Sequence, residues 1–180
     1  EFFDSRGYFE VETPLLVPSP GVETHLQALA ADGGYLSPSP EFQMKRLLAG
    51  GTGSIYQICR AFRGDECGPR HNPEFTMLEW YAVGADSEML RREMEELVMH
   101  VQRHEDVPCP LPPPPWERLT MAQAFSRWAG VDDLHAGAAE LLRQAGLLVR
   151  DMTWEEAFFT VFVEKLEPRL GGENPVFLTE

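Results

Sequence analysis

Two arginines, an imidazole and a carboxamide crowd one stretch of this chain, Phe62-Arg63-Gly64-Asp65-Glu66-Cys67-Gly68-Pro69-Arg70-His71-Asn72-Pro73-Glu74-Phe75-Thr76-Met77-Leu78-Glu79-Trp80-Tyr81. A guanidinium is planar, stays charged and donates two parallel hydrogen bonds, which is what a phosphate oxyanion accepts. Arg63 at the start of the polar loop and Arg70 near its end therefore suit a clamp on a triphosphate. The residues that follow alternate. In an extended strand Phe75, Met77, Glu79 and Tyr81 share one face, while Thr76, Leu78 and Trp80 share the other. A carboxylate beside a phenol, backed by apolar residues, suits an ammonium group, and Phe75 offers a flat base a surface to stack on. A plainer reading stands beside this one: strands commonly carry outward acids, and a charged loop rich in glycine and proline is commonly a solvated turn.

The charge pattern narrows the partners. Fifteen Lys and Arg against 29 Asp and Glu leave a net charge of −14, which repels nucleic acid at long range. Residues 41–70 run the other way, with Lys45, Arg46, Arg60, Arg63 and Arg70 against Glu41, Asp65 and Glu66, so an anionic small ligand fits there. His25, His100, His104 and His135 lack ligand spacing with any cysteine or acid, and no protein-held metal is expected. No GxSxG, SxxK or zinc-protease signature supports covalent hydrolysis. Cys59, Cys67 and Cys109 are odd in number without CxxC spacing, which reads as reduced cytoplasmic thiols. No apolar run approaches the roughly 20 residues that cross a bilayer, so no membrane association is expected.

The elements that must position these groups are also legible. Residues 8–16 alternate before Pro14 and predict a strand that meets a break. Ser39-Pro40-Glu41 places a capping residue, a first-turn proline and an acid ahead of Phe42, Met44, Leu47 and Leu48, predicting a short helix. Residues 55–63 and 75–83 read as the arms of a long-looped antiparallel hairpin. Ser87 is placed to cap an amphipathic helix striped by Leu90, Met94, Leu97, Val98 and Val101, with Arg91–Glu95 and Arg92–Glu96 pairs beside it. The prolines of residues 108–115 impose an extended linker. Thr120 with Gln123 and Thr153 with Glu156 match the capping-box pattern. They open helices carrying Phe125 and Trp128, then Phe159, Phe162 and Leu166, with Pro168 as the stop. Strands first and helices later predict an α+β fold. The domain reading is a catalytic core over 1–107, a linker over 108–118, a helical insertion-like segment over 119–171 and the start of a returning core strand over 172–180. The first residue is Glu1 and the last residues read as an interrupted strand, so a fragment of a longer protein is expected.

The segment from Phe62 to Tyr81 resembles motif 2 of the class II aminoacyl-tRNA synthetases, and His71-Asn72-Pro73-Glu74-Phe75-Thr76-Met77 resembles that family's lysine branch. Residues 2–16, Phe2-Phe3-Asp4-Ser5-Arg6-Gly7-Tyr8-Phe9-Glu10-Val11-Glu12-Thr13-Pro14-Leu15-Leu16, resemble motif 1, whose helix, strand and proline build a dimer interface. The resemblance implies an antiparallel sheet flanked by helices and a homodimer. It also implies that Arg63 is catalytic and holds the amino-acid carboxylate and the α-phosphate of ATP. Arg70 would take the outer phosphates, Asn72 and Phe75 the adenosine, and Gly64, Asp65, Glu66 and His71 would complete the ATP site. The family's usual acid two residues after the motif arginine is Asp65 here with Glu66 next, and either carboxylate can meet adenine. Ser39, Pro40 and Glu41 resemble the segment that contacts the amino acid, with Glu41 on the α-amino group and Gly21 as a nearby backbone contact. Glu79 and Tyr81 would take the lysine ammonium, the pair that strand alternation reaches independently.

Leu78-Glu79-Trp80-Tyr81, Cys67-Gly68 and Leu166-Glu167-Pro168 resemble the branch whose members attach lysine or β-lysine to elongation factor P more than they resemble a true synthetase. The implied enzyme is an ATP-dependent, Mg²⁺-assisted ligase that forms an aminoacyl-adenylate and passes it to a lysine side chain of elongation factor P; tRNA is not an expected partner. The third family motif is absent, so the catalytic site as given is incomplete. A fragment of an authentic lysyl-tRNA synthetase and a non-catalytic binding module remain the alternatives.

Overall fold

The computed structural model of the chain describes residues 1–21, 26–64, 68, 71–104, 110–172 and 174–179. It divides into two compact units, Glu1–Leu90 and Arg91–Glu180, and the boundary falls inside a helix. The fold is α+β.

The first unit is organised by one hairpin. Strands β5 (Ile55–Phe62) and β6 (Glu74–Tyr81) pair antiparallel along their whole length, from Ile55 opposite Tyr81 to Phe62 opposite Glu74. A short β1 (Phe9–Glu10) adds to β5 in parallel, so the sheet is mixed. The hairpin's two faces have different fates. Tyr56 and Trp80 share one face, and Phe3 packs there, its ring stacked 4.6 Å from Tyr56 and 5.6 Å from Trp80. The opposite face carries Gln57, Cys59 and Ala61 across from Glu79, Met77 and Phe75.

The expected strand over residues 8–16 is interrupted. After the Val11 amide donates to the Tyr56 carbonyl at 2.9 Å, the chain leaves β5, and Pro14 has no amide proton with which to rejoin a ladder. A groove of about 490 Å³ opens between Glu10, Val11, Glu12, Thr13 and Leu15 on one side and residues 57–60 on the other. The chain pairs again only at β2 (Leu16–Val17), which joins β4 (Gly34–Leu36) and β3 (Ala30–Ala31) in a second small antiparallel sheet. Where motif 1 implies a helix, residues Asp4–Arg6 form a single 3-10 turn.

Helix α1 (Glu41–Ala49) begins one residue later than its signals suggest. Pro40 itself is the cap residue, and the Ser39 hydroxyl accepts the Glu41 amide at 3.1 Å. Helix α2 (Ser87–His104) is capped by Asp86 rather than Ser87, since the Asp86 carboxylate accepts the Met89 amide at 2.8 Å.

In the second unit, α3 (Met121–Ala129) and α5 (Trp154–Val161) both start in complete capping boxes, at Thr120 with Gln123 and at Thr153 with Glu156. Each box satisfies two amides that the first helical turn leaves unpaired. Between them lies α4 (Ala138–Gln144), whose cap residue is Gly137 and which has no side-chain cap to announce it in the sequence. The three helices enclose Phe125, Val131, Leu141, Leu142, Val161 and Leu166, all 1 % exposed or less. Phe158, not Phe159, points inward. Its ring stacks 4.7 Å from Phe125, while Phe159 is 54 % exposed. The α-helical winding stops at Val161, widens into a π turn over Phe162–Leu166 and tightens into a 3-10 turn over Glu167–Arg169, so Pro168 lies past the helix it was expected to end.

Residues Glu117–Thr120, placed by sequence partly in the linker, form β7, which pairs in parallel with β8 (Val176–Thr179). The final strand therefore joins the helical unit's own two-stranded sheet. Within the proline run, the Gln102 side chain grips both backbone groups of Leu111, accepting its amide at 2.5 Å and donating to its carbonyl at 3.2 Å. Glu95 is buried, ion-paired to Arg91 at 2.9 Å and bonded by the Trp116 amide at 3.0 Å. Among the described residues no helix is long and apolar enough to cross a membrane.

Candidate active site

The face of the hairpin away from Phe3 gathers most of the described residues singled out in the sequence. Full-length pairing of β5 and β6 fixes the alternation, so Glu79 and Tyr81 stand together with Phe75 and Met77. The Tyr81 hydroxyl donates to Glu79 Oε2 at 3.1 Å, and the Ser39 hydroxyl donates to Glu79 Oε1 at 2.6 Å. Both carboxylate oxygens are thus oriented before any ligand arrives. Burial pushes the Tyr81 phenol well above its ordinary value, and the negative charge of Glu79, its hydrogen bond and the charge of Glu41 push in the same direction. The phenol therefore stays protonated and remains a donor. The influence of Glu41 also places a second carboxylate within electrostatic reach of this corner.

Arg63 follows the last residue of β5. Its amide donates to the Pro73 carbonyl at 2.9 Å, closing the hairpin loop, and its Nε donates to the Pro38 carbonyl at 3.3 Å. Its guanidinium lies 5.2 Å from the centre of the Phe75 ring, within cation–π range. Pro38 and Ser39 are neighbours, so one short segment touches both Arg63 and Glu79, residues sixteen positions apart. That segment is itself fastened by the Phe62 amide on the Ser37 carbonyl (3.0 Å), the Ser37 amide on the Leu15 carbonyl (2.8 Å) and the Ser37 hydroxyl on the Ser39 carbonyl (2.7 Å).

Glu41 opens α1 and forms an ion pair with Lys45 one turn on. Gly21 approaches the same helix: its φ is +106°, and a β-carbon there would lie 2.7 Å from the Phe42 ring. Only glycine combines that backbone angle with that approach. The Gly64 amide donates to the Gln27 carbonyl at 2.6 Å, tying the start of the loop to the stretch that leads into β3. His71 exchanges two backbone hydrogen bonds with Gly68, and Asn72 is exposed. Asp65, Glu66 and Arg70 lie outside the described residues.

Sequence reasoning misses Gln57. It lies directly opposite Glu79 on the site face, and it is 2 % exposed. One signal is present, a lone carboxamide inside the apolar run Ile55-Tyr56-Gln57-Ile58. The neighbouring Cys59 thiol is pushed up by burial and by the charge of Glu79, an effect the Gln57 amide offsets only in part.

In chemical terms, this face offers an oriented carboxylate, a second carboxylate at a helix start and a guanidinium beside an aromatic ring. It suits a ligand with two ammonium groups and one anionic group.

The sequence model for tRNA synthetases class II (D, K and N) matches residues 1–168. The chain belongs to this class II tRNA synthetase family. The class II domain is 39 % identical to the elongation factor P–(R)-β-lysine ligase of Erwinia tasmaniensis, over 98 % of this chain and 57 % of the relative. It is 40 % identical to the ligase of the same name from Yersinia enterocolitica, again over 98 % and 57 %, and 39 % identical to that of Pasteurella multocida, over 97 % and 56 %. The class II domain thus spans little more than half the length of the curated relatives it matches.

Proposed function

We propose that this domain is the amino-acid-activating core of a ligase that joins lysine or β-lysine to a lysine side chain of elongation factor P. The observation that carries the proposal is the Glu79 carboxylate, held by the Ser39 and Tyr81 hydroxyls, with Arg63 bonded to the adjoining Pro38 carbonyl. Lysine and β-lysine each carry two ammonium groups and one carboxylate. Glu79 with Tyr81 takes the side-chain ammonium, and Glu41, with a backbone contact at Gly21 and the Ser39-Pro40 segment, takes the other amine. Arg63 takes the carboxylate and the α-phosphate. ATP enters as its Mg²⁺ complex, with adenosine on Phe75 and Asn72, its phosphates toward Arg70, and Gly64, Asp65, Glu66 and His71 around it.

Two displacements follow. A carboxylate oxygen of the amino acid attacks the α-phosphorus, the bond to the β-phosphate oxygen breaks and pyrophosphate leaves, giving a mixed anhydride. The neutral ε-amine of the acceptor lysine then attacks the acyl carbon, AMP leaves and the amine loses a proton. Charge builds on the α-phosphoryl oxygens in the first step, and a fixed guanidinium stabilises it without reorganising. No enzyme nucleophile is required. The names of the relatives support elongation factor P as acceptor, and a net charge of −14 gives no attraction to tRNA. A homodimer through the motif 1 segment is part of the same reading.

The test is lysine- or β-lysine-dependent ATP–pyrophosphate exchange by the full-length protein, followed by transfer to purified elongation factor P or to tRNA. Exchange with transfer to the factor supports the ligase, transfer to tRNA replaces it with a synthetase, and absence of exchange leaves a binding module. Arg63→Ala is expected to slow exchange by roughly 10² to 10³-fold with an unchanged melting temperature. An equal loss of stability makes Arg63 a structural residue instead.

A further inference from the structure

One polar group on the site face lacks a hydrogen bond of ordinary geometry among the described residues. Neither Oε1 nor Nε2 of Gln57 makes one, although both atoms are buried. An amide left in that state carries the full cost of its lost hydration, and buried polar groups in folded proteins are overwhelmingly paired. The amide acts on the Cys59 thiol through a side-chain hydrogen bond, and a thiol is a weak partner that leaves both amide atoms without a bond of ordinary geometry. Directly opposed residues of an antiparallel pair hold their β-carbons about 4.5–5.5 Å apart, so the Gln57 and Glu79 side chains leave the sheet side by side on one face.

Counting donors and acceptors identifies what belongs there. A primary ammonium has three hydrogens to place, and a carboxylate oxygen has about two lone-pair sites. One site on each Glu79 oxygen is occupied by Ser39 or Tyr81, which leaves one on each for the ligand. The third ammonium hydrogen needs another acceptor, and a neutral one adds no further charge to a pocket already carrying Glu79 and Glu41. Gln57 Oε1 is such an acceptor.

We infer that Gln57 is a specificity-determining residue of the amino-acid pocket, its Oε1 accepting the third hydrogen of the side-chain ammonium that Glu79 binds. This rests on the reading of Glu79 as the ammonium receptor. The groove beside residues 10–15 also borders Gln57. A water entering from that side satisfies the amide without any ligand, and in that arrangement the chain is indifferent to the substrate's head group at this position.

The two arrangements separate in the full-length protein, with exchange supported by whichever lysine isomer is active. The KM for that amino acid is compared with the inhibition constant of the matching analogue in which a hydroxyl, with a single donor, replaces the side-chain ammonium. Gln57→Leu is expected to raise the amino-acid KM at least tenfold while leaving the ATP KM, the hydroxyl analogue's inhibition constant and the melting temperature within twofold or within a degree or two of the parent. Gln57→Glu, which keeps the acceptor, retains the amino-acid KM within threefold. If Gln57→Leu does not fold, Gln57→Met carries the same comparison. An unchanged amino-acid KM in the apolar variant, or an equal weakening of the amino acid and the hydroxyl analogue, overturns this inference alone. A parent protein that shows no exchange with either isomer overturns the proposed function and this inference together.

Discussion

Glu95 and Gln57 are both buried polar side chains, one in each unit, and they are in opposite states. Glu95 has an arginine and a backbone amide within hydrogen-bonding distance, whereas neither amide atom of Gln57 has a hydrogen bond of ordinary geometry among the described residues. The same contrast holds more broadly. Among the described residues, buried side-chain atoms without a partner are both amide atoms of Gln57 and Oε1 of Gln43, all in the first unit. The second unit opens two of its helices with complete capping boxes and packs the same helices around an apolar cluster.

The contrast can be pressed hardest at Glu95. Removing one partner of a buried ion pair leaves the other uncompensated, at about 3–5 kcal/mol. Glu95→Leu is therefore expected to cost that much in urea unfolding, and a loss below about 1 kcal/mol, the worth of an exposed pair, means that the Arg91 pair contributes little. Next is Glu79→Gln, which keeps the shape and removes the charge. A desolvated ammonium loses about 2–5 kcal/mol of binding, read as a rise in the lysine KM with the ATP KM unchanged; unchanged lysine affinity takes Glu79 out of the pocket. A smaller effect is expected at Thr120→Ala, which removes the α3 cap and costs about 1 kcal/mol, measured by the midpoint of denaturation.

The finest of these tests uses pH. The Thr153 amide and then the Thr153 hydroxyl hold the Glu156 carboxyl below its ordinary value of 4.5. A carboxylate with a depressed folded-state pKa contributes stability that is fully present above its unfolded value and fades as pH falls through the folded one. Denaturation midpoints taken from about pH 6 down to about pH 3 should therefore decline less steeply in Glu156→Gln than in the parent. Parallel curves for the two proteins count against the capping role.

What is legible in the sequence follows the same division. Capping boxes are four-residue signals whose chemistry is complete in the local chain, and both of those expected from sequence form. Strand alternation is equally local, and it is enough by itself to put Glu79 and Tyr81 on one face. Signals that depend on a distant partner are harder. Residues 8–16 alternate like one strand, but β5 accepts only Phe9 and Glu10 before the chain turns away, and that choice is made by tertiary pairing. Phe158 and Phe159 are adjacent identical residues, and the tertiary positions of Phe125 and Trp154 go with Phe158 being the partly buried one. Gln57 needs the register of the hairpin, because its role depends on the residue opposite it. The support given by residues 37–39 to both Arg63 and Glu79 is likewise invisible until the loop is folded.

Within residues 110–115 every position except Leu111 is proline, so that stretch owns a single amide proton. Gln102 accepts it. A slip of one residue in either direction would offer Gln102 a ring nitrogen that donates nothing. The run is therefore held on its helix against single-residue slippage, like a key with a single tooth.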